Sequence, residues 1–164
     1  MGQIADIPHI KRLRVHTRLP VVIPQRVTDG LIEALSATRL PVTMVLHCNH
    51  ANEVDAQMLA ATQKLKSANI TLLNQAVLLR GVNNRLEDQM ALSEVLGDNG
   101  VLPYYLHLLD HVRGASHFHC SDAEAKHLVG QLLTRLPGYL VPRLVREIAG
   151  EAGKVPIHVD LITS

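Results

Sequence analysis

The chain has 164 residues, 47% of them apolar and 19% charged, which is the balance of a globular protein of one domain with a core of its own. Sixteen Lys and Arg stand against fifteen Asp and Glu, with three Tyr, one Phe and no Trp; this argues against nucleic-acid binding, which needs a basic field and stacking rings. Two cysteines suit a reducing, cytoplasmic setting better than a disulfide framework, no run reaches the roughly 18 apolar residues of a spanning helix, and the opening MGQIADIPHIKRLRVHTRLP has no secretory h-region.

In chain order, Leu13 to His16 reads as a strand and Val21 to Ile23, between Pro20 and Pro24, as a weaker one. Thr28 opens a helix over Asp29–Ala37. Val42 to His47 is a nearly continuous apolar run, followed by a helical stripe of Val54, Met58, Leu59 and Leu65 with Asn52 as N-cap. Ile70 to Leu73 is the next strand. Asn84 and Glu87 have capping-box spacing ahead of a helix over 86–96, which Gly97, Asn99 and Gly100 stop. Val101 to Leu109 is another strand, and Ser121 with Glu124 caps a helix over 122–136 that ends at Pro137-Gly138.

The apolar runs suit parallel strands covered on both faces. They begin at 42, 70 and 101, 28 and 31 residues apart, which is the length of a βαβ crossover. Four such units cannot close an eight-stranded barrel, so an open sheet or part of a larger barrel is expected. After Leu136 the pattern changes to an extended stretch over 139–145, a small-residue turn over 149–153, Lys154 and an apolar stretch to Leu161. This divides the chain into 1–136 and a tail, 137–164, expected to pack over one end of the sheet.

In a parallel sheet, functional side chains gather at the carboxyl ends of strands. Those positions hold His16-Thr17-Arg18, His47-Cys48-Asn49-His50, Asn74-Gln75, His107 and Asp110-His111. His47 and His50 have zinc-ligand spacing with Cys48 alongside, and His117 and His119 form a second cluster, but each pair supplies two of the three or four ligands required. The competing reading is that they cap strand ends and bond backbone. Lys154 is either a solvated turn residue or, in a buried setting that disfavours its charge, a Schiff-base nucleophile. Asp110 and Glu147 are acids after apolar stretches. Walker, GxGxxG and nucleophile-elbow motifs are absent.

Five strings in order, RLRVHTRLPVVIPQRVT (12–28), LHCNHANE (46–53), LLNQAVLLRGVNN (72–84), PYYLHLLDHVRGASHF (103–118) and PGYLVPRLVREIAGEAGKVP (137–156), resemble the lysine 2,3-aminomutase family of radical S-adenosylmethionine enzymes. The nearest branch makes β-lysine for attachment to elongation factor P. The resemblance implies an α/β fold, the second half of a partial (β/α)6 barrel with a C-terminal cofactor-binding segment. It also implies conversion of L-lysine to β-lysine with S-adenosylmethionine, a [4Fe–4S] cluster and pyridoxal phosphate, cofactors that carry the chemistry while the protein positions them. By the same resemblance Lys154 carries pyridoxal phosphate, Asp110 and Glu147 hold the substrate's distal ammonium, and His47, Gln75 and, more weakly, His16 line the S-adenosylmethionine site. Glu147 stands where the clostridial type has an aspartate.

The family's cluster ligands, spaced Cys-x3-Cys-x2-Cys, have no counterpart in Cys48 or Cys120, and the glycine-rich segment after the second strand is missing. The expectation is a carboxyl-terminal half, from a truncated or split gene or a mis-assigned start at Met1, that holds no cluster and does not turn over alone. Other readings are a cluster-free module that binds pyridoxal phosphate or pairs with a separate amino-terminal half, and a histidine-rich metal hydrolase. Missing strands would leave a parallel edge open to self-association or to that other half.

Overall fold

A computed structural model describes residues 2–110 and 114–159. His111, and the end of the expected apolar stretch at Leu161, lie outside the described residues. In chain order the elements are α1 (Gly2–Ala5), β1 (Leu13–Thr17), α2 (Leu19–Val22), α3 (Asp29–Ser36), β2 (Val42–His47), α4 (Ala56–Ser67), β3 (Thr71–Leu78), α5 (Leu86–Asp98), β4 (Leu102–Leu108), α6 (Asp122–Arg135), β5 (Arg143–Arg146) and β6 (Val155–Pro156). The strands form one sheet in sequence order. β1 through β5 pair in parallel, and β6 returns antiparallel to β5. Sequential parallel strands joined by crossover helices make the arc of an α/β barrel. Among the described residues no helix is long and apolar enough to cross a membrane.

The sheet is covered by helices on one face, not both. Along β3, Leu72, Asn74, Ala76 and Leu78 are buried while Leu73, Gln75 and Val77 are more open. Met44, Leu46, Leu72, Leu78, Leu106 and Leu144 pack with Met58, Leu65, Leu92, Leu96, Leu128 and Val129 of α4, α5 and α6 in a single core. Each such Leu or Met contributes about 1.5–3 kcal/mol when taken out of water. The opposite face carries His47, Gln75, Tyr105 and Arg143 across β2 to β5, register partners that point the same way. Two adjacent polar residues, Asn74 on the helix side and Gln75 on the other, shortened the strand visible in the sequence: β3 runs on through both to Leu78.

Three further expectations change. Val21 lies in the single turn of α2, with Pro20 in its first positions, where a missing N–H costs nothing. The N-cap of α4 is Asp55, which accepts from the Met58 N–H at 2.8 Å, while Asn52 sits in the preceding 3-10 turn. Asn84 accepts instead from the Gly81 N–H at 2.7 Å, so Arg85 precedes α5 without a side-chain cap. The Thr28 cap and the Ser121–Glu124 capping box form as expected.

The tail does not simply lie over the sheet. Leu144 pairs with Leu106 and Val145 with His107, which makes Arg143–Arg146 a fifth parallel strand and carries the strand–helix alternation past Leu136. This strand has four residues with arginines at both ends, so its two apolar residues gave too short a run to stand out.

Candidate active site

The end of β2 places His47 beside Gln75 of β3, with Gln75 Nε2 3.0 Å from His47 Nε2. With the amide nitrogen as donor, the ring nitrogen accepts, which assigns the imidazole proton to Nδ1. The His16 ring meets that of His47 edge to face, centroids 6.1 Å apart. Burial lowers the pKa of both histidines below the ordinary value; Arg14 adds to this at His16, and His16 and Arg18 add to it at His47. Three strands thus present uncharged hydrogen-bonding groups at one edge.

The loop after β2 is held by an amide ladder that extends the sheet's hydrogen bonding beyond its last strand residue. Asn74 accepts from the Cys48 N–H and donates to the Cys48 carbonyl, both at 2.9 Å. Asn49 Oδ1 accepts from the Val77 N–H at 2.9 Å, and Asn83 Nδ2 donates to the carbonyls of Asn49 at 2.8 Å and Val77 at 2.9 Å. Gln89 Nε2 donates to the Asn83 carbonyl at 2.8 Å. Sequence reading found Asn49 and Asn74 as strand-end residues but missed Asn83 and Gln89; the one available signal for Asn83 was the unusual run of amides in NQAVLLRGVNN.

A cleft of about 1150 Å³ opens beside this edge, and His16, Asp110, Glu147 and Lys154 line it together with Arg14 and Tyr105. Asp110 lies two residues past β4, and Glu147 directly follows β5. Lys154 forms an ion pair with Glu147, and its side chain is 30% exposed. Lys154 is thus half-buried and faces a carboxylate, not the enclosed apolar setting expected for a nucleophile. Gly150 is needed for its left-handed backbone, φ 91°. A β-carbon on Gly153 would meet nothing within 4 Å. Arg146 pairs with Asp122 at the start of α6, and Arg80 Nη2 donates to both carboxylate oxygens of Glu124, at 2.8 and 2.7 Å. These two pairs fasten the surroundings of the cleft.

The histidine pairs have other partners. His50 Nδ1 accepts from the Asn52 N–H at 3.1 Å and its Nε2 lies 3.7 Å from Asp88, whereas His47 turns to Gln75. His117 stacks on Phe118 with centroids 4.0 Å apart, and His119 lines the cleft. Among the described residues no three His, Cys, Asp or Glu side chains are grouped to hold a metal ion. Cys48 is fully buried, with its thiol pushed up to about 12, chiefly by burial. The buried Cys120 thiol is also raised, again chiefly by burial.

An arc of parallel strands with helices on one face and polar strand ends defines a segment of an α/β barrel. It superposes on the crystal structure of Streptococcus suis SuiB bound to S-adenosylmethionine with a TM-score of 0.57, at 12% identity, over 84% of this chain and 33% of that one. No family model matches the chain. It is 52% identical over 161 residues to the L-lysine 2,3-aminomutase of Escherichia coli K12, covering 98% of this chain and 47% of that protein. It is 56% identical over 151 residues to the Haemophilus influenzae protein of that name, covering 92% and 45%. The Clostridium subterminale protein of the same name matches at 34% over 164 residues, covering 100% and 39%. The chain is a relative of the lysine 2,3-aminomutases and spans about half the length of the curated relatives it matches.

Proposed function

We propose that this chain forms the later strands and the cofactor- and lysine-binding part of a lysine 2,3-aminomutase, an isomerase that converts L-lysine to β-lysine. The observation that carries this reading is that Lys154, Glu147, Asp110 and His16 line one cleft, next to the His47–Gln75 pair at the same strand edge.

In this reading Lys154 holds pyridoxal phosphate, and Asp110 and Glu147 receive the distal ammonium of lysine. His47, Gln75 and His16 bind S-adenosylmethionine through uncharged ring nitrogens and the amide. Gln75 Oε1 is buried without a hydrogen-bond partner, which fits a ligand group that completes it. Bound there, S-adenosylmethionine would supply a hydrogen-abstracting radical and pyridoxal phosphate a carbonyl to hold the migrating amino group. The chain's own side chains orient the substrate: two carboxylates fix its far end, so that its reacting carbons lie toward the His47–Gln75 edge. The amide ladder behind Cys48 and Asn49 keeps that edge in place.

The cluster does not fit these residues. Both thiols are buried and they lie on different parts of the fold, so any [4Fe–4S] cluster is held by residues other than these, and the chain alone binds rather than turns over. The higher identity to the Escherichia and Haemophilus relatives than to the clostridial one favours the branch whose β-lysine goes to elongation factor P.

The test is a graft. This chain replaces the matching 161 residues of the Escherichia coli relative, and β-lysine formation from L-lysine is measured. Turnover within about tenfold of the parent supports the reading, since a core tolerates many simultaneous replacements that keep its volume and pattern. A folded graft that binds neither lysine nor pyridoxal phosphate contradicts it.

A further inference from the structure

Among the described residues, the buried side-chain polar atoms without a hydrogen-bond partner are Gln75 Oε1 and His107 Nε2. The first belongs to the pair described above. The second has no assigned role. His107 is 8% exposed and lies on the open face of β4, where its register partners are Val77 on β3 and Val145 on β5. Two residues earlier on its own strand, Tyr105 offers a ring edge, centroids 5.7 Å apart. The sheet therefore surrounds this imidazole with hydrocarbon and an aromatic ring. A buried nitrogen in such surroundings is costly unless something completes it, and neither flanking strand supplies a partner.

The place of His107 says what completes it. Tyr105 and Leu108 of its own strand line the cleft together with Asp110 and Lys154, so the His107 ring, beside that of Tyr105, lies in the sheet at the floor of that cleft. Burial, with Lys154 adding to it, pushes its pKa down to about 4. At neutral pH the ring is uncharged, with one nitrogen to donate and one to accept.

We propose that His107 is a ligand-contacting residue whose Nε2 hydrogen-bonds the aldehyde-bearing pyridine cofactor taken up by Lys154. This rests on the reading of Lys154 given above. Condensation of Lys154 with an aldehyde would need its ammonium first to pass a proton to the facing Glu147 carboxylate; the neutral amine nitrogen would then bond the carbonyl carbon, and the carbonyl oxygen would leave as water with the two remaining N–H hydrogens. His107 then supplies a fixed, neutral hydrogen bond from the sheet beneath the newly bound ring.

The experiment titrates the chain and its His107→Phe and His107→Asn variants with pyridoxal phosphate. It follows the visible absorbance band and then locates the label by borohydride reduction and peptide mass. His107→Phe should weaken binding about fivefold to tenfold and move the band, and His107→Asn should recover part of the loss. In the unsubstituted chain the ring nitrogen-15 signals of His107 should shift on cofactor addition, a readout that needs no variant to fold. Unchanged affinity and band in His107→Phe, or nitrogen-15 signals that do not move, with Lys154 still labelled, overturn the role of His107 alone. Absence of label on Lys154 in the unsubstituted chain overturns the Lys154 reading and this inference with it.

Discussion

Glu147 and Lys154 face each other as the next rung of a hairpin. β5 and β6 pair Val145 with Pro156 and Arg146 with Val155, and one step further the same register sets Glu147 opposite Lys154, where their side chains form an ion pair. The connection turns at Gly150 with φ 91°. A cross-strand pair therefore brings the lysine to the cleft, and its carboxylate partner arrives with it.

Because that pair is partly exposed, it adds little to folding. Glu147→Gln should change stability by less than about 1 kcal/mol, read from urea denaturation of the chain. In the grafted enzyme the same change should raise KM for L-lysine. A large loss of stability with KM untouched would show that Glu147 serves the hairpin and not the substrate.

Asp110→Asn tests the other carboxylate. Asp110 is exposed on the cleft wall, so its loss should cost what an exposed ion pair contributes, up to about 1 kcal/mol or roughly twofold to fivefold. In the graft, kcat/KM should fall by that much for L-lysine and little for an analogue without the distal amine. Equal effects on both substrates would remove Asp110 from the ammonium site.

The elements that sequence revealed and those it hid differ for physical reasons. Val42–His47 was legible because its residues are nearly all apolar, Thr43 and His47 excepted. The second half of β3 was not, since Gln75 serves the open face and Asn74 the ladder, and two adjacent polar residues look like a strand end. Asn52 and Asn84 had cap-like positions, but Glu53 and Gly81 drew the local backbone into turns of their own. The residues that line the cleft and its edge, His16, His47, Gln75, Asp110, Glu147 and Lys154, had been singled out through strand-end logic and family likeness. Their convergence depended on the β5–β6 hairpin, which the small-residue turn over 149–153 marked without revealing its register. His107 was read as one more strand-end histidine, because burial and a missing partner have no sequence signature.

The amide ladder should be the most sensitive part of the scaffold. Asn74→Ala leaves the Cys48 N–H and carbonyl without the partners they have at 2.9 Å. An orphaned buried polar group costs about 1–3 kcal/mol, so the urea midpoint should drop accordingly. In the graft, S-adenosylmethionine affinity should fall with it, as the His47 loop loses its anchor. A midpoint within error of the parent would contradict the ladder's role.

Acid should destabilise the fold before its carboxylates titrate. The folded-state pKa of His107 lies at about 4, below the ordinary 6.5, with burial the main cause. Between those values the unfolded chain takes up a proton that the folded chain refuses. This contribution is therefore fully present above pH 6.5 and is lost as pH falls toward 4. His16 and His47, lowered in the same direction, add to the slope. Glu124 is held at about 2, chiefly by the Ser121 N–H, so its contribution is present above its ordinary 4.5 and fades only below that. Denaturation midpoints across pH 4 to 8 should fall toward acid, and His107→Phe should flatten the fall between 6.5 and 4. An identical slope in the variant would mean that His107 is protonated in the folded chain.

The central claim is that Lys154 is the residue that takes pyridoxal phosphate in this cleft, and one measurement addresses it without the rest of the enzyme. The chain is incubated with pyridoxal phosphate, reduced with borohydride, digested and mapped by mass spectrometry. The account predicts a phosphopyridoxyl group on the peptide that contains Lys154, at one per chain, lost in Lys154→Ala. Label distributed over Lys64, Lys66 or Lys126, with Lys154 unmodified, would contradict it.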